Sequence, residues 1–125
     1  MTSTDAVQRP VGGALMAAIS DHVVRIFAEY TGRGPTRART TIRDDIVVCV
    51  AHECMTKAER RLVETGEGET VRSLRRTFQN AMREDLVAGV ERLSGRTVVS
   101  FMSDHDPERD FTAEVFVLAG HDGSR

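Results

Sequence analysis

The stretch ETVRSLRRTFQNAMREDLVAGVERL, residues 69–93, decides how the rest of this 125-residue chain is read. Val71, Leu74, Phe78, Met82, Leu86, Val90 and Leu93 recur at steps of three and four, which lines one side of an α-helix with apolar groups. Such a stripe reads as core rather than as a cofactor box. On the opposite side Arg72, Arg75, Arg76 and Arg83 alternate with Glu84, Asp85, Glu91 and Arg92, the composition of a solvated helix face. Ser94-Gly95 ends the helix, because glycine takes the left-handed C-terminal position at little cost.

Working outward toward the C-terminus, residues 97–103 and 111–118 are two β-rich runs. They flank Asp104-His105-Asp106-Pro107-Glu108-Arg109-Asp110, the composition of a hairpin loop. From Ala119 the tail is expected to fray. Toward the N-terminus, Gly66-Glu67-Gly68 separates the long helix from a short one opened by Thr56-Lys57-Ala58-Glu59. That is a capping-box pattern, in which the Thr56 hydroxyl and the Glu59 carboxylate satisfy free amides at a helix start. Before it, residues 39–55 carry Thr40, Thr41, Ile42 and then Ile46-Val47-Val48-Cys49-Val50, read as one strand with apolar groups on both faces. Leu15, Ile19, Val23, Ile26, Phe27 and Tyr30 form the stripe of a first helix over residues 10–31, with Pro10 in its opening turn and Thr31-Gly32-Arg33-Gly34-Pro35 stopping it.

The order is α-β-α-α-β-β, with no repeat and no linker. It predicts a two-layer α+β domain over residues 10–118: a three-stranded sheet packed on the long helix and the N-terminal helix, between flexible ends at 1–9 and 119–125. If the first two strands are parallel neighbours, the helices between them form a right-handed crossover. Val98, Ser100 and Met102 alternate with Val99 and Phe101, and Val115 and Val117 with Phe116 and Leu118, so both strands are apolar on both sides. Helices could cover both faces, or a second subunit could cover one; with only one substantial helix besides the long one, a homodimer is the expected arrangement.

Composition narrows the function classes. Hydrophobic residues at 40% and charged residues at 29% are globular values, and one domain of this size folds without disulfide or metal. Seventeen basic against nineteen acidic groups give a net charge of -2, without the field of a nucleic-acid binder. Cys49 and Cys54 suit a reduced, cytoplasmic chain. No apolar run approaches the roughly 20 residues that span a bilayer, so no direct membrane insertion is expected and any membrane role runs through a partner.

The segment Gly32-Arg33-Gly34-Pro35-Thr36-Arg37-Ala38-Arg39-Thr40-Thr41-Ile42-Arg43 holds four arginines and no acid. Glycine admits close approach and guanidinium groups grip carboxylate or phosphate. Gly32, Arg33, Gly34, Arg37, Arg39 and Arg43 are therefore the candidate anion- or partner-binding residues. The plainer alternative is a solvated loop whose arginines pair with Asp44, Asp45 and helix carboxylates. His52, Glu53 and Cys54, with Asp104, His105 and Asp106, offer metal-ligand types but no metal-binding spacing, so neither metal nor cofactor is expected. A Cys54 nucleophile with His52 as base lacks an orienting third group, and no catalytic residue is assigned.

Gly32-Arg33-Gly34-Pro35, then Arg39-Thr40, Asp44-Asp45-Ile46-Val47-Val48-Cys49, Thr56-x-Ala58-Glu59, Leu93-Ser94-Gly95-Arg96, Val98-Val99 and Asp104 resemble, over nearly the whole chain, the bacterial family named for MpsC. That family is linked to a sodium-translocating, membrane-potential-generating system. His52 and Cys54 fall outside the pattern. The resemblance implies a small cytoplasmic protein without enzymatic activity, an accessory to a membrane ion or inorganic-carbon transport system that contacts its membrane subunits. The alternative is a small-anion or metabolite-binding regulatory module that uses the same arginines.

Overall fold

The computed structural model describes residues 9–120. Seven elements follow one another: α1 (Gly12–Thr31), β1 (Arg37–Arg43), β2 (Ile46–His52), α2 (Lys57–Glu64), α3 (Gly68–Ser94), β3 (Val98–Asp106) and β4 (Phe111–Leu118). The α+β class holds. The sheet, however, has four strands rather than three, in the order β1-β2-β4-β3, and each neighbouring pair is antiparallel.

The additional strand comes from the segment read as a single one. Asp44-Asp45 folds it into a two-residue hairpin in which Arg43 pairs with Ile46 and Asp44 takes a φ of 54°. Aspartate tolerates this left-handed region because its short carboxylate can bond local backbone. A parallel crossover between adjacent strands is also replaced. β4 inserts between β2 and β3, so α2 and α3 connect strands that are not neighbours. Side-chain pattern explains the order. β2 and β4, apolar on both faces, take the centre, whereas β1 and β3 bring arginine, serine and aspartate to the edges, where charge discourages further pairing.

Helix ends follow the glycines. The N–H of Gly32, at φ 80°, donates to the Ala28 carbonyl, and Gly95, at φ 71°, does the same to Glu91. α1 starts after Val11, which places Pro10 before the helix rather than in its first turn. The capping box at Thr56 is complete, with both reciprocal bonds formed. The Ala119 N–H donates to the Thr97 carbonyl at 2.8 Å. Residues 1–8 and 121–125, where flexible ends were expected, lie outside the described residues.

α1 and α3 cover one face of the sheet, and α2 packs on α3. Ile19, Val23, Phe27, Met82, Leu86 and Val90 of the helices meet Val47, Cys49, Ala51, Phe101, Phe116 and Leu118 of the strands in one core. The buried line along α3 is not quite the expected one. Leu74 is 40% exposed, whereas Arg75, assigned to the solvated side, is 1% exposed. The line steps from Val71 to Arg75 and Gln79 before reaching Met82. Arg75 tolerates burial because its Nη1 donates to the Glu59 carboxylate at 3.2 Å and to the Cys54 carbonyl at 3.4 Å. Its guanidinium also stands 5.8 Å from the Phe27 ring centroid. Since Glu59 closes the capping box as well, one buried ion pair ties the start of α2 to α3. Removing either partner would strand a charge, at a cost of about 3–5 kcal/mol.

α1 and α3 cross where Gly89 faces His22. The imidazole is buried; its Nε2 donates to the Asp85 carbonyl at 3.0 Å and its Nδ1 accepts from Arg25 at 3.3 Å. Burial, the larger effect, lowers the His22 pKa against the raising influence of the Asp85 carbonyl, and the neutral ring makes both bonds. A Cβ on Gly89 would lie 1.9 Å from His22 Nε2. Gly89→Ala should therefore destabilise the protein by about 1–3 kcal/mol, although alanine is the better helix former by about 1 kcal/mol. Thermal unfolding checks the sign, and in a His22→Ala background the penalty should shrink.

Candidate functional site

Alternation along each strand sends one set of side chains into the helices and the other to the opposite face of the sheet. Cross-strand register arranges that opposite face in rows. Arg37, His52, Phe111 and Asp106 form one row; Arg39, Val50, Ala113 and Asp104 the next; then Thr41, Val48, Val115 and Met102; then Arg43, Ile46, Val117 and Ser100. Among the described residues no helix covers this face. Ile46 is 39% exposed, Phe111 43% and Met102 51%. Val48, Val50, Val115 and Val117 between them are half-buried. The result is an apolar platform with arginine along the β1 edge and aspartate along the β3 edge.

The candidate arginines divide into two groups. Arg37, Arg39 and Arg43 share one side of β1, are exposed, and among the described residues make no ion pair. Among the described residues no ion pair joins them to Asp44 or Asp45, and Asp45 pairs with Arg96 at 2.7 Å. Arg33 stands apart, its Nε donating to the Glu53 carbonyl at 3.3 Å. Gly32 and Gly34 are structural. Gly32 caps α1, and a Cβ on Gly34 would come within 3.1 Å of Val24. A groove of ≈ 780 Å³ runs along β1, lined by Arg37 and Arg39 together with Ser20, Asp21, Val24 and Thr36.

Sequence patterning named these arginines as a binding set, but took Asp104 and Asp106, at the far ends of their rows, only as metal-ligand types and not as their counterparts. Their only signal was the alternation of Ser100, Met102, Asp104 and Asp106. It becomes informative once β4 is known to lie between β2 and β3.

The metal-type residues do not converge. His52 lies on the open face, its ring 4.4 Å from that of Phe111, while Cys54 is fully buried in the core. His105 Nε2 bonds the Asp110 carboxylate at 3.0 Å, and Asp110 also accepts from the Cys54 and Met55 amides. Burial works against charge on Asp110, yet these bonds prevail and hold its pKa below the usual carboxylate value. No group of three His, Cys, Asp or Glu side chains suited to a metal occurs among the described residues. Burial also pushes the Cys49 thiol up to about 11 and the Cys54 thiol to about 12, leaving little reactive thiolate.

A family model described as "Na+-translocating membrane potential-generating system (MpsC)" matches residues 12–120. The chain belongs to the MpsC family. It is also 26% identical over 101 residues to the uncharacterized protein YrhF of Bacillus subtilis, a match covering 79% of this chain and 83% of that protein. No solved structure matches it. No helix among the described residues of this MpsC-family chain is long and apolar enough to cross a membrane.

Several residues that carry the family resemblance hold the sheet together rather than lining its open face. Arg96 follows the Gly95 cap and donates to Asp45 at 2.7 Å, to the Asp44 carbonyl at 3.3 Å and to the Ala119 carbonyl at 2.6 Å. It thereby fastens the β1–β2 turn to the end of β4.

Glu114, opposite Cys49 in the sheet, is fully buried, and neither carboxylate oxygen has a hydrogen-bond partner among the described residues. Burial raises its pKa from 4.5 to about 8, against smaller downward pulls from Ser103 and Arg75. A pKa raised on folding stabilises the native state fully below about 4.5 and loses that contribution as pH rises to about 8. Melting temperature should therefore fall across this window. Glu114→Gln should flatten the decline, with its relative gain largest above pH 8. A wild-type to variant difference that stays constant across pH would contradict the assignment.

Proposed function

We propose that this MpsC-family protein is a homodimeric, non-enzymatic accessory subunit of a membrane ion or inorganic-carbon transport system, working in the cytoplasm through contacts with membrane subunits. The observation that carries this reading is the open sheet face. A four-stranded sheet with helices on one side presents, on the other, a contiguous platform of Val, Ile, Met and Phe rimmed by exposed arginines that make no ion pair among the described residues. With strand spacings of about 4.8 Å and a rise of about 3.4 Å per residue, four strands of seven residues make a face of roughly 450 Å². The two central strands make up about half of it, and the largest contiguous apolar patch on a protein surface is often functional.

Catalysis would call for a nucleophile, an acid or base and a stabilising donor in one cleft. In this fold the two thiols are buried, His105 is tied to Asp110, and the groove along β1 gathers arginines with Ser20, Asp21 and Thr36 rather than a nucleophile, base and donor set. The family description supplies the membrane system, and the absence of a spanning helix among the described residues makes a subunit that binds membrane components the economical role. The groove along β1 supports a second reading, binding of a small anion or metabolite by Arg37 and Arg39. Asp21 on its wall counts against this.

Crosslinking and affinity recovery from native membranes should bring down integral membrane transport subunits with the wild-type protein. Recovery of none, together with stabilisation of the purified protein by a panel of small anions, would favour the second reading. A ligand at 100 times its dissociation constant adds about 2.7 kcal/mol, easily seen as a thermal shift.

A further inference from the structure

The rows across the sheet carry information about how a second copy would be seated. The opposite face reads, from β1 to β3, arginine, apolar, apolar, aspartate in two successive rows: Arg37, His52, Phe111, Asp106 and Arg39, Val50, Ala113, Asp104. Two identical platforms can stack face to face about a two-fold axis lying between them in one of two principal ways. With the axis running across the strands, β1 lies over β1 and arginine confronts arginine. With the axis parallel to the strands, β1 of each copy lies over β3 of the other, and each row meets its own row reversed.

We infer that two copies pack these faces together about a two-fold axis parallel to the strands, with Arg39 and Arg37 of each chain against Asp104 and Asp106 of the other. This geometry deepens the dimeric part of the reading above and rests on it. Aligned sheet packing about 10 Å apart suits the platform, in which Val48 of each copy then meets Val115 of the other.

The charges on the β3 edge are available for such a contact. Asp104 is 73% exposed, and the Arg72 nitrogen beside it stands at 3.7 Å; Asp106 meets Arg109 at the same 3.7 Å. Solvated pairs at that separation contribute little, about 0–1 kcal/mol. Within one chain Arg39 and Asp104 are separated by three strand spacings, about 14 Å, beyond the Debye length of about 8 Å at physiological salt. Their complementarity is therefore of use only between chains. In the last row Arg43 has Ser100 at the far end, so the proposed dimer leaves Arg43 without an opposing acid and open to an acidic segment of a membrane partner.

The test uses two single charge reversals, Arg39→Asp and Asp104→Arg, in the full chain, with light scattering and sedimentation to measure mass. Wild type should have twice the 13.8 kDa of one chain. Each variant alone places like charges opposite each other twice, and its dissociation constant should rise at least about tenfold, since like-charge juxtaposition costs several kcal/mol. Mixed in equal amounts, the two variants should form a heterodimer, because both cross-chain pairs are then opposite in sign. Arg37→Asp and Asp106→Arg provide an independent second pair. Variants that dimerise as well as wild type, or that remain monomers when mixed while folded by circular dichroism, overturn the proposed axis. A wild-type protein of one-chain mass overturns the dimer itself. Recovery of membrane subunits is a separate readout, so loss of the dimer and loss of the accessory role can be told apart.

Discussion

Everything in this molecule depends on the placement of its helices on one side of its sheet. A sheet whose central strands are apolar on both faces gains from burial on both sides, yet α1 and α3 seal only one. The sealed side holds the core, the buried Arg75–Glu59 pair and the burial that raises the Glu114 pKa. On the bare side, β2 and β4 still carry valine and isoleucine, where a strand bordering water usually carries polar residues.

The sheet itself is held by interactions far apart in sequence. Arg96 reaches the β1–β2 turn and the end of β4, Asp110 gathers the His105 ring with the amides of Cys54 and Met55, and Glu59 joins its cap to Arg75. These contacts fix the register that aligns arginine and aspartate across the open face. Residues shared with the MpsC pattern, such as Gly95, Arg96 and Asp45, thus bear on function through geometry, by setting the rows rather than by touching a partner.

Much of the fold was legible in the sequence. The heptad-like stripe of α3, the capping box at Thr56, the glycine ends at Gly32 and Gly95 and the strand β4 all appear where local chemistry puts them. β1 was missed because the β-branched residues on either side of Asp44-Asp45 read as a single run, although two adjacent aspartates are themselves a turn signal. Arg75 was misplaced because an arginine buried by a carboxylate from another helix is indistinguishable, in sequence, from one in solvent. Of the candidate site, the arginines were visible and their alignment was not. A row across four strands is created by β4 entering between β2 and β3, a choice made by tertiary packing.

The central claim is that the bare sheet face is covered by a second copy of the chain. Methyl-resolved NMR with a soluble paramagnetic agent tests it directly. Val48, Val50, Val115 and Val117 should be shielded as well as core Val90, while Leu74, exposed on α3 away from the sheet, broadens; dilution should remove the valine protection. Valine methyls that broaden as strongly as Leu74 at high protein concentration would contradict it.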